Sequence, residues 1–318
     1  MCLTKIPLEN FIAAKEKIRS YIRSTPLEYA RELSQRTHSR IYLKLENWQK
    51  TGSFKIRGAV NKLLSLSAEE KQKGVITASA GNHGLGVAFT AQMMGVPGKI
   101  VVPETASTAK IKALEHYDLE LIKQGIDYDE AEQIAWQVQK RENRTFIHAF
   151  SDPDIIAGQG TIGLEILHDL PDVETILVPI GGGGLISGVA IAAKSLKPNV
   201  KIIGVQSEAS PAMYNSVQSG KIVETPIADT LADGLAGRFV TELTLNITQH
   251  FVDEICLVSE DAIKAAVKLI LESEHMLIEG SAAVGVAALL ENKIALRGEI
   301  VIVVTGRNIA VKQLKNIF

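Results

Sequence analysis

ETILVPI (Glu174 to Ile180), GGGG (Gly181 to Gly184) and LISGVAIAAK (Leu185 to Lys194) follow one another without a break. The first is a continuous apolar run of buried-strand character, and the last has the small and apolar residues of a packed helix. Four glycines join them. Lacking Cβ atoms, they let the backbone fold tightly and bring several N–H groups within reach of one anion, while the following helix adds its positive end. One glycine normally suffices for a strand-to-helix turn, so this run points to a bound phosphate. It is neither a P-loop, because no GK[ST] follows, nor a dinucleotide fingerprint, because the G-x-G-x-x-G spacing with its acidic residue is absent.

Outward from that turn, apolar runs and helical patterns alternate. VITA near Val75, KIVVP to Pro103, LELI near Leu121, TFIHAF near Phe146, KIIGVQ to Gln206, EICLVS near Cys256 and EIVIVVT to Thr305 read as further strands. Ile41, Leu43 and Leu45 alternate with Tyr42, Lys44 and Glu46 as another. Helical spacing marks Phe11 to Ile22, Ser53 to Leu66, Asp129 to Arg141 and Glu260 to Glu272. Strand, helix, strand in succession predicts an α/β fold of parallel sheets with helices on both faces. Ligands of such sheets sit at the carboxyl ends of strands, and Ser79, Gly181 and Thr305 all follow strand candidates.

Size and charge exclude several classes. The chain has 318 residues, 46% of them hydrophobic, enough for two lobes. With 34 basic and 36 acidic residues the net charge is −2, and no Lys/Arg stripe interleaved with aromatics favours nucleic acid. Cys2 and Cys256 make no metal spacing and no disulfide framework, which fits a reducing, cytoplasmic setting. The charged start, MCLTKIPLENFIAAKEK, has no secretory apolar core, and the apolar stretch Ser281 to Leu290 is too short to span a bilayer. No H-E-x-x-H pair or Cys/His cluster suggests a metal. No membrane, nucleic acid or metal partner is expected.

Two further segments complete a chemical picture. GSFKIRGA places Lys55 in the first turn of a helix, where an amine can form a Schiff base, although Lys44, Lys50, Lys62 and Arg57 are nearby rivals. SAGNHG, Ser79 to Gly84, is a glycine-bearing turn at the start of the helix GLGVAFTAQMM and offers backbone N–H groups to a carboxylate. Together with the four glycines they describe a site for one phosphorylated aldehyde.

In order and wording SFKIRGA, SAGNHG, VPIGGGGLISG, TLADG, IEGSAAVG and VVTGRN resemble the pyridoxal-phosphate enzymes of the threonine/serine dehydratase and serine racemase family, fold type II, also called tryptophan synthase β-like. The resemblance runs from TPLEYA at Thr25 to Asn308. It implies a large cofactor-binding lobe from residues 1–50 and 148–318 and a small lobe from 51–147. It implies Lys55 as the Schiff-base lysine, Phe54 against the pyridine ring, and Gly181, Gly182, Gly183, Gly184 and Leu185 around the phosphate. Thr305 falls at the pyridine nitrogen and Asn82 at the phenolic oxygen. Ser79, Ala80, Gly81, Asn82 and His83 then wrap the substrate carboxylate. His83 by itself reads as a backbone-bonded structural residue, given that Lys55 already serves as base.

The implied activity is α,β-elimination from L-threonine, and from L-serine, to a 2-oxo acid and ammonia. The alternatives are a dehydratase of a related hydroxy amino acid, of hydroxyectoine-pathway, hydroxyaspartate or phenylserine type, or a serine racemase. Racemases of this family carry a second serine where this chain has Ala80, and a methyl group moves no protons. Relatives dependent on a divalent cation have carboxylates where Gln206 and Ala212 stand here, so no such ion is expected. Many dehydratases have glycine at the position of Arg307, whose charge suits either an unusual substrate side chain or a surface carboxylate. The expected partners are an amino-acid substrate and further copies of the chain in a homo-oligomer.

Overall fold

A computed structural model describes residues 6–295 and 298–318, so Cys2 lies outside the described residues. Among the described residues ten strands run β1 (Leu27–Tyr29), β2 (Arg40–Leu45), β3 (Val75–Ala78), β4 (Gly98–Val102), β5 (Glu120–Lys123), β6 (Thr145–Phe146), β7 (Thr175–Pro179), β8 (Lys201–Ser207), β9 (Glu254–Val258) and β10 (Glu299–Val304). They form two sheets, ordered β1-β2-β10-β7-β8-β9 and β5-β4-β3-β6. The smaller sheet is parallel throughout. The larger is parallel except at its β1 edge, where Leu27 faces Lys44 in an antiparallel pair that the sequence pattern did not announce.

The order follows from burial on both faces. In β10, Ile300, Ile302 and Val304 enter one core with Ile41, Leu43 and Leu177, beneath the helices Glu260–Glu274 and Gly280–Leu290. Val301 and Val303 enter the opposite core with Ile176 and Val178, beneath the helices Pro153–Asp169 and Gly184–Leu196. A strand apolar at every position belongs in such a doubly covered parallel sheet. Strand β10 lies between β2 and β7 in register, Ile300 opposite both Ile41 and Thr175, which inserts the end of the chain into the middle of the sheet.

Two sequence expectations are modified. TFIHAF stays in the sheet only through Thr145 and Phe146. Beyond Ile147 the chain turns away, because His148 Nδ1 accepts from the backbone N–H groups of Phe150 and Ser151 at 3.2 and 2.9 Å. Lys44 and Glu46 are both fully buried, since each meets an opposite charge inside the protein. Among the described residues no helix is long and apolar enough to cross a membrane.

The helix Lys55–Ser65 packs face to face with Pro153–Asp169 through glycine. A Cβ on Gly158 would lie 2.6 Å from the Arg57 carbonyl oxygen and 2.7 Å from Gly58 Cα, and neither backbone atom can swing aside. The substitution Gly158→Ala is therefore expected to force the helices apart and cost about 1–3 kcal/mol. Urea denaturation of the purified variant measures it; an unchanged midpoint would refute the close approach.

Candidate active site

Parallel strands end at the site. Residues Ser79, Gly181 and Thr305 follow β3, β7 and β10 on the carboxyl side of their sheets. In the glycine turn Gly183 caps the helix Gly184–Leu196 with φ of 94°. The first i→i−4 bond of that helix runs from Ser187 N to Gly183 O at 2.9 Å, which leaves the N–H groups of Gly184, Leu185 and Ile186 at its open N-terminal end. Close packing leaves no room for side chains. A Cβ on Gly182 would collide with the Phe150 ring, on Gly184 it would sit 2.7 Å from Phe150 O, on Gly183 2.6 Å from Met213, and on Gly181 3.1 Å from Leu235 Cα.

Lys55 reaches the same place. Its Nζ donates to the Ala149 carbonyl at 2.9 Å, one residue before the phenylalanine that walls the glycine turn, and lies 5.3 Å from the Phe54 ring centroid. Burial pulls its amine down to about 8, with the nearby Glu279 opposing the shift. The rival cations are engaged elsewhere. Lys44 pairs with Glu165, Lys62 with Asp152 and Asp154, and Arg57 with Glu46 and Glu165, while Lys50 is exposed and 6.0 Å from the Phe89 ring.

Residues from opposite ends of the chain are then stitched together by backbone. Phe54 N donates to Thr305 O at 3.1 Å, Arg307 N to Gly52 O at 2.9 Å, and Ser53 bridges Gly306 in antiparallel fashion. The Thr305 hydroxyl is buried and without a partner among the described residues, as are the hydroxyls of Ser53 and Ser281. The side chain of Arg307 is exposed.

Gly81 caps the helix Asn82–Met94, so the N–H groups of its first turn, at Asn82, His83 and Gly84, have no helical acceptor. Ser79 Oγ accepts from Gly81 N at 3.1 Å and holds the turn, with Ala80 half-buried inside it. The His83 ring points inward instead. It is 4% exposed, and its Nε2 donates to the Ile147 carbonyl at 3.0 Å. Burial, followed by the charge of Lys55, lowers its pKa to about 3, and the same two causes hold His148 at about 4.

Sequence reading passed over Glu279 inside IEGSAAVG. Its carboxylate accepts from Asn82 Nδ2 at 2.8 Å, and its N–H donates to Gly306 O at 3.1 Å. On the other side of Asn82, Oδ1 accepts from Asn308 Nδ2 at 2.7 Å. The Asn82 amide is thereby oriented from both ends, with one N–H left over. Burial, with Asp233 second, raises Glu279 to about 8. The signal was an acidic residue in an otherwise small and apolar stretch. The adjacent Ser281 and the Ala149 carbonyl, which no side-chain motif encodes, were missed as well.

Such an arrangement, one depressed amine between two glycine-capped helix ends at the carboxyl edges of two parallel sheets, defines a class that holds a phosphorylated aldehyde and an amino-acid carboxylate together. A family model described as "Pyridoxal-phosphate dependent enzyme" matches residues 18–306. An L-threonine ammonia-lyase of Thermotoga maritima is 46% identical over 98% of this chain and 78% of its own length. The L-threonine dehydratase catabolic TdcB of Escherichia coli is 41% identical over 98% and 96%. Among solved structures, maize serine racemase superposes with a TM-score of 0.93 at 34% identity, covering 97% of this chain and 95% of that one. The processed form of threonine deaminase isoform 2 from Solanum lycopersicum gives 0.92 at 37%, covering 98% and 92%. The chain belongs to the pyridoxal-phosphate-dependent enzymes of fold type II, in the threonine dehydratase family related to serine racemase.

The donor set fits that cofactor. A cradle without Cβ atoms suits a phosphate, and three unpartnered buried hydroxyls suit the polar edge of a ring. At Gly183, where φ is positive, even a methyl group is strained and meets Met213 and Thr244. Gly183→Ala is expected to raise the dissociation constant for pyridoxal phosphate at least about tenfold, given an αL penalty of roughly 1–2 kcal/mol plus the clash. Equilibrium dialysis of the stripped protein reads it, and wild-type affinity in the variant would remove the turn from the site.

Proposed function

We propose that the protein is a pyridoxal-phosphate-dependent threonine ammonia-lyase that also accepts serine. The observation that carries this reading is the Lys55 amine, depressed to about 8 and lodged one residue from the wall of the glycine turn. When bound, the cofactor withdraws electrons from the substrate's α-carbon. Lys55 is the residue proposed to carry it, with Phe54 beside its ring and Gly181, Gly182, Gly183, Gly184 and Leu185 around its phosphate.

Protein groups supply the rest. An amine with its pKa lowered to about 8 is neutral in an appreciable fraction near that pH, so Lys55 Nζ can take the substrate's α-proton. Backbone N–H groups of the glycine turn would hold the phosphate with no cation in the turn, and a phosphate so held would keep the acid/base capacity that a departing β-hydroxyl requires. The first-turn N–H groups after Gly81, with the Ser79 hydroxyl, would receive the substrate carboxylate, and Asn82's remaining N–H would meet the cofactor's phenolic oxygen. The Thr305 hydroxyl would neighbour the ring nitrogen, and being neutral it would offer that nitrogen a hydrogen bond without a carboxylate's charge, a setting that suits β-elimination. Water lost across Cα and Cβ is regained on hydrolysis, so threonine leaves as 2-oxobutanoate and ammonia, and serine as pyruvate and ammonia.

Ala80 supports elimination over racemisation, because a methyl group offers no proton on the second face. The names of the relatives, threonine ammonia-lyase and catabolic threonine dehydratase, support the substrate assignment. We extend the reading to a cytoplasmic homo-oligomer. The free, buried Cys256, its thiol pushed up to about 12, fits a reducing compartment, and the resemblance favours assembly. The small lobe, residues 51–147, and the large one, 1–50 with 148–318, are proposed as the two walls of the cleft.

A substrate panel of threonine, serine, hydroxyaspartate and phenylserine, scored by 2-oxo acid and ammonia, tests the assignment. Threonine should lead; a cofactor-loaded protein inert toward all four would end it. Lys55→Ala is expected to abolish ammonia release and the visible absorbance of bound cofactor. Rebinding of pyridoxal phosphate to stripped wild type should accelerate as pH rises through about 8, because only the neutral amine attacks an aldehyde and burial places its titration there. Acceleration centred near the ordinary lysine value would contradict the buried setting.

A further inference from the structure

The guanidinium of Arg57, two residues beyond Lys55, is fully buried and has every N–H engaged. Nε donates to Glu46 Oε2 at 2.8 Å, and Nη2 donates to Glu46 Oε1 and to Glu165 Oε2, each at 2.8 Å. Nη1 donates to Glu165 Oε1 at 2.7 Å and to Thr161 Oγ1 at 3.0 Å. The carboxylates are bound in turn. Glu46 Oε1 accepts from Thr25 Oγ1 at 2.5 Å, and Glu165 Oε2 meets Lys44 Nζ at 2.7 Å, while Lys44 also donates to the Thr25 carbonyl at 2.7 Å. Burial works against the Arg57 charge, but Glu46 and Glu165 outweigh it and raise its pKa above the ordinary value.

The partners identify what is being held. Lys44 belongs to β2, Glu46 follows it directly, and Thr161 and Glu165 lie on the helix Pro153–Asp169 beneath the larger sheet. That sheet also carries the glycine turn after β7 and Thr305 after β10. The same helix meets the Lys55 helix at Gly58 and Gly158, and accepts from Asn61 Nδ2 through Asp154 O at 2.7 Å and from Gly58 N through Gln159 Oε1 at 3.3 Å. The carboxylate-binding turn, by contrast, rides on β3 of the smaller sheet. Its helix packs on the Lys55 helix through apolar side chains, Ala59 and Leu63 sharing a buried core with Val87 and Ala91, and a Cβ on Gly86 would lie 3.3 Å from Ile56 N.

We infer that Arg57 is a positioning residue: the Glu46–Arg57–Glu165 cluster fixes the Lys55 helix to the larger sheet, so that the amine, the glycine turn and Thr305 form one rigid cofactor frame. A guanidinium bound bidentately on two sides has one orientation, which a lysine ammonium, a point charge on a flexible stem, cannot reproduce. The helix is thus registered along its axis as well as held against its neighbour. This rests on the proposed function, because it is the threonine reaction that reads out the amine's position.

Arg57→Lys and Thr161→Val test it beside Lys62→Ala, which breaks only a partly exposed pair with Asp152 and Asp154 on the same helix. Arg57→Lys is expected to lower kcat for threonine at least about tenfold, since misplacing a reacting group by a fraction of an ångström has that effect. It should weaken retention of pyridoxal phosphate and shift the bound cofactor's absorption maximum, while KM for threonine stays within about twofold because the carboxylate turn is untouched. Thr161→Val removes one uncharged acceptor from the cluster, and is expected to fold and to change kcat in the same direction by a smaller factor. Lys62→Ala should match wild type. Two results overturn the inference: Arg57→Lys or Thr161→Val with a lower melting temperature but wild-type kcat, spectrum and cofactor retention, or a loss that appears in KM as much as in kcat. Should Arg57→Lys not fold, Thr161→Val decides alone, with a wild-type kcat counting against the proposal. A wild-type protein that binds cofactor and releases no ammonia would instead dismiss the functional reading.

Discussion

Everything at the site depends on a short antiparallel seam between Ser53–Phe54 and Thr305–Gly306. Phe54 N to Thr305 O, Arg307 N to Gly52 O and the Ser53–Gly306 bridge are ordinary backbone contacts, yet they close a loop that takes in most of the chain. Loop-closure entropy rises only logarithmically with length, but one short seam cannot hold such a junction by itself. It is held because β10 is already seated between β2 and β7, with Val304 opposite Leu45, which delivers residue 305 to the place where the chain leaves β2. Sheet order is therefore what brings Lys55 beside Thr305.

Titratable groups around the seam share one electrostatic cause. Lys55, His83 and His148 are all pulled toward neutrality by burial, and Glu279 is pushed the same way, up to about 8. Each neutral form is the cheaper one in a poorly solvated cleft, and the cations repel one another besides. Arg57 and Glu165 lie just behind and remain charged, because each finds its counter-ion at hydrogen-bond distance. A front whose charges are weakened by burial and a fully paired charged back suit a pocket that must accept an anionic cofactor and an amino acid.

Much of this was legible in the chain itself. The apolar strands, the glycine run and SAGNHG at a helix start follow from local patterns of period or composition, whereas Lys55 stood among rival cations and was singled out by the family resemblance. What escaped has a common feature, namely dependence on partners remote in sequence. Alternation in IYLKL says nothing about Lys44 being buried, because its acceptors, Glu165 and the Thr25 carbonyl, come from other elements. TFIHAF is apolar enough for a strand, but His148 captures two backbone N–H groups and ends it. Glu279 carries no periodic signal at all, and only contact with Asn82 gives it a task. The edge pairing of β1 with β2 is likewise a tertiary fact, since three residues are too few for a pattern.

Contacts across the two sheets differ in kind, and the difference bears on how the cleft works. At its mouth, Lys110 of the smaller side meets Asp233 at 2.8 Å, and Arg238 of the larger side reaches Asp127 and Asp129. All are more than a third exposed, so water and salt screen them and they separate at little cost. Behind the site, removing one member of the Glu46–Arg57–Glu165 cluster strands a buried charge, a loss of about 3–5 kcal/mol in comparable cases. The buried cluster is therefore the firmer of the two joints. Buried, saturated charge ties the Lys55 helix to the larger sheet, while exposed pairs tie the outer contacts between the two sides.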